Sequence, residues 1–185
     1  MWNRRSFIQL SIAGLIGTSG IFSLLKWYKH KYRIADIVEY PNPILRSISE
    51  PIDFIDGSII ALAKSMTAIL RYKAPFEFLF KGSLYKGLAA PQVGIQKRLI
   101  VCGLKGEIKV LMNPEILEKR GVYPMIEYCM SLPKHPCKII NRSQYVKLKY
   151  QTPENGEKIL VAEKSSAALL EHEIDHLDGI LYIDY

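Results

Sequence analysis

Two histidines spaced four residues apart near the end of the chain are the residues best suited to chemistry. They belong to the pentapeptide His172-Glu173-Ile174-Asp175-His176. On a helix, residues i and i+4 project from one face about one turn apart, so both imidazoles can reach a single metal ion. Glu173 lies beside them and can act as a base toward a metal-bound water. An ordinary solvent-facing helix also fits these five residues, and this alternative stays open at this point.

A catalytic metal site needs a third protein ligand and one open position for water. Few residues follow the pentapeptide, and Tyr182 stands where the long metalloprotease pattern has its third histidine, so we expect the ligand upstream. Cys129 is a candidate because a thiolate binds zinc or ferrous iron strongly. Cys102 lies in an apolar run and is typical of a buried core residue. Cys137 and the nearby His135 lie in a proline-flanked loop and are the weaker alternative.

A loop of small residues, G-L-A-A-P-Q-V-G at positions 87–94, can bring backbone close to a ligand while Gln92 offers an amide donor. This loop is followed by two further segments, E-Y-C-M-S-L-P at 127–133 and H-E-I-D-H at 172–176. In this order and at these separations, the three segments resemble the motifs of the peptide deformylase family. The segment Y-P-N-P-I-L-R at 40–46 also resembles the start of that family's domain. The resemblance therefore runs from about residue 34 to the end of the chain.

The resemblance implies a metal-dependent hydrolase that removes the formyl group from the N-terminal formylmethionine of newly made peptides. The family usually holds Fe²⁺, with Zn²⁺, Ni²⁺ or Co²⁺ as substitutes. The metal ligands that the resemblance implies are Cys129, His172 and His176. Glu173 would take a proton from the metal-bound water and give it to the leaving amine. The side-chain amide of Gln92 and the backbone N–H of Met130 would stabilise the oxyanion.

Two of the four residues implied to contact the peptide depart from the family pattern. These residues are Lys86, Gly87, Leu88 and Tyr128. Family members usually carry glycine where this chain has Tyr85 and Tyr128, and an apolar residue where it has Lys86. Because these side chains can narrow or polarise the cleft, we expect a weaker preference for formylmethionine than the family usually shows. A related metallo-amidohydrolase acting on another N-acyl peptide and an inactive metal-binding module are the alternative functions.

The spacing of apolar residues predicts a single α+β domain over residues 34–185, with mainly antiparallel sheets around a C-terminal metal-binding helix. A first helix is predicted over 59–72, followed by an inserted loop over 73–83. The predicted hairpins pair 98–104 with 107–112 and 145–151 with 158–162. Residues 163–177 contain no glycine or proline and predict the last helix, with Gly179 at its C-terminal cap.

Residues 1–33 have a different composition from the rest of the chain. They contain six basic residues, no acidic residue and an apolar run over 7–25. Arg4-Arg5, followed by a polar and two apolar residues, resembles a twin-arginine export signal. No small-x-small cleavage site ends the run. We therefore expect residues 1–33 to be a signal or membrane anchor that makes the protein membrane-associated or exported, with a cytoplasmic protein as the alternative.

The charge distribution argues against nucleic acid as a partner. The net charge of +7 comes almost entirely from residues 1–33, and the remaining chain is nearly neutral. No basic stripe interleaved with aromatic residues occurs in the catalytic domain, so we expect it not to bind nucleic acid. With 49% hydrophobic and 23% charged residues, the composition also excludes a disordered or a polytopic membrane chain.

Overall fold

The computed structural model describes residues 36–81, 87–154 and 156–185, with the backbone alone for 72–81. The sequence-based interpretations of residues 1–33, Tyr85 and Lys86 lie outside the described residues. Within the described parts of the chain, no helix has both the length and the apolar character needed to cross a bilayer.

The described residues form two antiparallel sheets and two α-helices, which confirms the α+β class. The larger sheet has the strand order β1-β2-β3-β6-β7, and β4 pairs with β5 in the smaller one. The strands are β1 (Gly87–Ala89), β2 (Leu99–Leu104), β3 (Glu107–Arg120), β4 (Tyr123–Glu127), β5 (Lys138–Arg142), β6 (Tyr145–Gln151) and β7 (Glu157–Glu163). The helices are α1 (Gly57–Lys81) and α2 (Ser165–Leu177), with short 3-10 helices at Pro43–Arg46, Ala90–Val93 and Tyr182–Asp184.

Helix α2 packs its apolar side against the larger sheet. Strand β6 alternates strictly, with Val146, Leu148 and Tyr150 buried and the residues between them half-buried, because successive side chains of a strand point to opposite faces. The core joins these side chains to residues of β2 and to Ala167, Leu170, Ile174 and Leu177 of α2. The helix is thereby fixed along the larger sheet, and it also contacts both strands of the smaller sheet.

The predicted hairpins and last helix are present, and two predicted boundaries are wrong. Helix α1 begins after Asp56, whose Oδ1 accepts hydrogen bonds from the backbone N–H groups of Ser58 and Ile59, but it continues to Lys81 instead of ending at 72. No glycine interrupts the sequence between 58 and 81, and Pro75 removes one N–H without ending the helix.

Strand β3 also continues beyond the predicted end at residue 112. Asn113 and Pro114 are typical of a turn, and Asn113 has a positive φ of 47°. The pairing with β6 shifts register between Met112 and Glu115, so a bulge accommodates the irregular backbone and the strand continues to Arg120. Strands β4 and β5 have no counterpart among the predicted elements.

Candidate metal centre

Helix α2 presents His172 and His176 on the side that faces the smaller sheet. The centroids of the two imidazole rings lie 5.0 Å apart, with the ring planes at 88°. Both residues are buried, with His176 only 1% exposed, so the alternative of a solvent-facing helix is wrong. Burial, more than any other cause, lowers the pKa of His176 well below its usual value. The neutral imidazole that results is the form that binds metals.

Cys129 reaches the histidines from the segment that follows β4. Its Sγ lies 3.2 Å from Nε2 of His176, and the ligand atoms of Cys129, His172 and His176 all lie within 4.8 Å of one another. One thiolate and two imidazoles form a donor set that suits Zn²⁺ or Fe²⁺ and leaves a fourth position open. Cys102 is instead fully buried in the core, and Cys137 is exposed.

Hydrogen bonds to the sulfur hold Cys129 in place. Nε2 of Gln92 donates to Sγ of Cys129 over 3.3 Å and to Oγ of Ser131 over 3.2 Å, and the backbone N–H of Ser131 donates to the same sulfur over 3.4 Å. The Oε1 atom of Gln92 accepts from the backbone N–H of Ala89 over 2.9 Å, which fixes the amide of this buried side chain. The structure therefore places Gln92 beside the cluster, and Ser131 is a neighbour that sequence reasoning missed.

A buried carboxylate orients His172. Its Nδ1 lies 2.8 Å from Oε2 of Glu127, so Nδ1 carries the proton and the Nε2 lone pair is available to a metal ion. Arg142 donates to both carboxylate oxygens of Glu127, from Nε over 2.6 Å and from Nη2 over 3.0 Å. Burial alone would raise the pKa of Glu127, but the hydrogen bonds from His172 and Arg142 lower it to about 2. Glu127 stays ionised and keeps accepting from His172.

The carboxylate of Glu173 lies against the backbone of β1. A Cβ atom built on Gly87 would lie only 2.2 Å from Oε1 of Glu173, so the absence of a side chain at position 87 makes room for the carboxylate. The buried Oε2 has no hydrogen-bond partner among the described residues. Burial first, and then the charges of Glu127 and Asp175, raise the pKa of Glu173 to about 7. A carboxylate with this pKa can both take and give a proton near neutral pH.

The described residues implied to bind the peptide lie on both sides of the cluster. Gly87 and Leu88 belong to β1, which pairs with β2 alone and is the first strand of the larger sheet. The side chain of Leu88 is fully buried, so only its backbone can meet a peptide. Tyr128 and Met130 flank Cys129 and are half-buried.

Neither Glu127 nor Arg142 was predicted to belong to the site. Glu127 is the first residue of the segment 127–133 and lies two residues before Cys129, while Arg142 lies 15 residues away in the chain from Glu127. In the β4–β5 register Glu127 pairs with Lys138 and Arg142 pairs with Tyr123, so the two residues are not cross-strand partners. They meet because both side chains are buried and the long arginine reaches the carboxylate. No sequence spacing predicts this pair, because the strand register alone would place Lys138, not Arg142, beside Glu127.

Comparisons with known proteins identify the family of the chain. The family model described as polypeptide deformylase matches residues 34–185. A peptide deformylase of Bartonella tribocorum is 37% identical over 80% of this chain and 82% of its own length. The crystal structure of the peptide deformylase from Thermotoga maritima superposes with a TM-score of 0.72 at 30% identity, covering 82% of this chain and 96% of that one.

A further structure, the Met-Ala-Ser bound peptide deformylase from Acinetobacter baumannii, superposes with a TM-score of 0.71 at 27% identity over 82% of this chain and 97% of that one. Sequence and structure thus agree over most of the chain, which belongs to the polypeptide deformylase family.

Proposed function

We propose that Cys129, His172 and His176 hold the divalent metal ion with which this chain removes the formyl group from the N-terminus of newly made peptides. The observation that carries the proposal is the meeting of these three buried donors within 4.8 Å. The donors fit such an ion, because burial keeps His176 neutral and Glu127 leaves Nε2 of His172 free. A bound ion lowers the pKa of water and polarises a carbonyl group. We propose Fe²⁺ as this ion, with Zn²⁺, Ni²⁺ or Co²⁺ able to replace it.

Glu173 is proposed as the general base and then the general acid. Its carboxylate takes a proton from the attacking water while the water oxygen bonds to the formyl carbon. It then gives this proton to the amine nitrogen as the carbon–nitrogen bond breaks, releasing formate and a free amino terminus. Two observations support this role: the burial-raised pKa of about 7 and the unpartnered Oε2.

Gln92 and Met130 are proposed to stabilise the negative charge that develops on the formyl oxygen. The amide of Gln92 is buried beside Sγ of Cys129, and its Oε1 is held by the N–H of Ala89. Its Nε2 donates to Cys129 and Ser131, so one of these two N–H groups turns to the formyl oxygen during the reaction. The backbone N–H of Met130 follows the cysteine directly in the chain. Hydrogen-bond donors fixed in this way act most strongly in a site that excludes water.

The peptide is proposed to lie in extended form along the backbone of Gly87 and Leu88, with Lys86 and Tyr128 beside it. The Acinetobacter baumannii relative that holds Met-Ala-Ser supports a methionyl peptide as the substrate. Tyr128 replaces the glycine usual in the family and favours a second candidate, a preference for a different N-acyl peptide. A Lys86→Ile variant separates the two candidates, because it raises the preference for formylmethionine if this ammonium faces the pocket.

Residues 1–33 are proposed to act as a signal or membrane anchor, attached to a catalytic domain over 34–185. The proposal is supported by their acid-free, basic composition around an apolar run. Fractionation of cells that express the full chain tests it, and a wholly soluble full-length protein would contradict it.

Replacement of Glu173 by glutamine tests the proposed reaction. The Glu173→Gln variant should lose about 10²- to 10⁴-fold in turnover and keep its metal, because Glu173 is not a ligand in this proposal. A Glu163→Gln variant, changed at an exposed residue at the end of β7, is the matched control for both measurements. If the Glu173→Gln variant loses metal in step with activity, Glu173 is itself a ligand and the proposed role is wrong.

A further inference from the structure

Arg142 connects the orienting carboxylate of His172 to a second carboxylate. Its Nε and Nη2 atoms donate to Glu127, and its Nη1 donates to Oδ2 of Asp175 over 2.6 Å. The guanidinium is planar and rigid, so fixing one edge on Asp175 also sets the direction of the edge that faces Glu127. Arg142 is only 4% exposed, and the two carboxylates supply the partners that a buried cation needs.

Tyr185 completes this arrangement from the surface side. Its hydroxyl donates to Oδ2 of Asp175 over 3.0 Å and accepts from Nη1 of Arg142 over 3.1 Å. The ring lies beneath the guanidinium of Arg142, with 4.6 Å from Cζ to the ring centroid. Tyr185 itself is 53% exposed. A continuous series of contacts therefore runs from an exposed phenol to the imidazole of His172.

We propose that Tyr185 is a positioning residue for the metal centre, which acts by holding Asp175 and Arg142 so that Glu127 presents Oε2 to His172. The proposal rests on the assignment of His172 as a metal ligand. The ring covers one face of the guanidinium and keeps water from it, and the hydroxyl ties the guanidinium to Asp175. Without the phenol, water reaches Arg142 and weakens its ion pairs, so the orientation of Glu127 and of the imidazole becomes less defined.

Binding of Co²⁺ to the full chain tests this inference, because its visible spectrum reports the geometry of the ligands. We expect Tyr185→Ala to weaken Co²⁺ affinity about tenfold or more, as measured by competition with a chelator, and to shift the Co²⁺ absorption bands. Tyr185→Phe keeps the ring but loses the hydroxyl, and should give a smaller change in the same direction. In both variants kcat should fall more than KM changes, since Tyr185 does not touch the substrate.

The chain supplies a matched control in Tyr145, the first residue of β6. Its ring centroid lies 4.1 Å from Cζ of Arg120, the last residue of β3. Tyr145→Ala removes a contact of the same kind outside the metal centre and should leave Co²⁺ affinity and spectrum unchanged. If both Tyr185 variants bind Co²⁺ with the affinity and spectrum of the unaltered chain while His172→Ala does not, the inference is wrong and the ligand assignment stands. If His172→Ala also binds Co²⁺ normally, the ligand assignment is wrong, and the inference fails with it.

Discussion

Substitution of Gly87 by alanine should displace the proposed base without touching the metal ligands. The added Cβ would lie 2.2 Å from Oε1, 2.4 Å from Cδ and 2.5 Å from Cγ of Glu173, and these are the three atoms nearest to it. Non-bonded carbon contacts are most favourable at about 3.5–4.0 Å, so the carboxylate or β1 must move by roughly 1 Å.

The displacement predicts a loss of turnover with normal metal content. A misplacement of about 1 Å can cost on the order of 10² in rate, which corresponds to about 2.7 kcal/mol in the activation free energy. We expect Gly87→Ala to lower kcat by about this factor, whereas its metal content should equal that of the unaltered chain, because Glu173 is not a ligand.

The assay measures formate release from formyl-Met-Ala-Ser, with kcat and KM determined separately and metal content determined on the same samples. Gly57→Ala is the control, because a Cβ at this position meets no atom within 4 Å. If Gly87→Ala retains the kcat of the unaltered chain at full metal content, Glu173 does not act from the position beside β1.

Three further perturbations test the electrostatics and the ligands. Arg142→Ala leaves the buried Glu127 without its cation and should lower the free energy of unfolding by about 3–5 kcal/mol, measured by urea denaturation. Glu173 must be ionised to accept a proton, so kcat/KM should fall as the pH drops through the pKa of this carboxyl group. Burial places this pKa at about 7, and a bound cation lowers it. A profile of kcat/KM against pH whose acid side has its midpoint well above pH 7 would contradict the assignment. Cys129→Ala should abolish metal retention in metal analysis, and Cys137→Ala, changed at an exposed thiol, should not.

The elements that the sequence predicts best are those with a regular pattern. Helix α2 and the hairpins carry apolar residues at the expected spacing, and the structure contains them. Strands β4 and β5 lack such a pattern. Ile126 and Ile139 are 61% and 69% exposed, whereas Glu127 and Arg142 in the same two strands are buried. Apolar residues outside and charged residues inside reverse the alternation on which a strand prediction depends.

The residues of the candidate site also differ in how far the sequence predicts their positions. His172, Glu173 and His176 belong to one helical turn, so their proximity follows from sequence spacing alone. The adjacent position of Cys129 depends on tertiary packing. Thiolate chemistry makes this residue one candidate among several, and the family resemblance selects it. Tyr185 lies 43 residues from Arg142 in the chain. Sequence spacing carries no information on contacts of this kind, which arise when the end of the chain packs beside β5.

The most direct test of the account compares two peptides that differ only in their acyl group. The full chain, loaded with Fe²⁺ under anaerobic conditions, is given formyl-Met-Ala-Ser and acetyl-Met-Ala-Ser, and the release of formate and acetate is measured. We expect rapid formate release that stops when the metal is removed by a chelator, with little or no acetate. Faster release of acetate, or no formate from the metal-loaded chain, would contradict it.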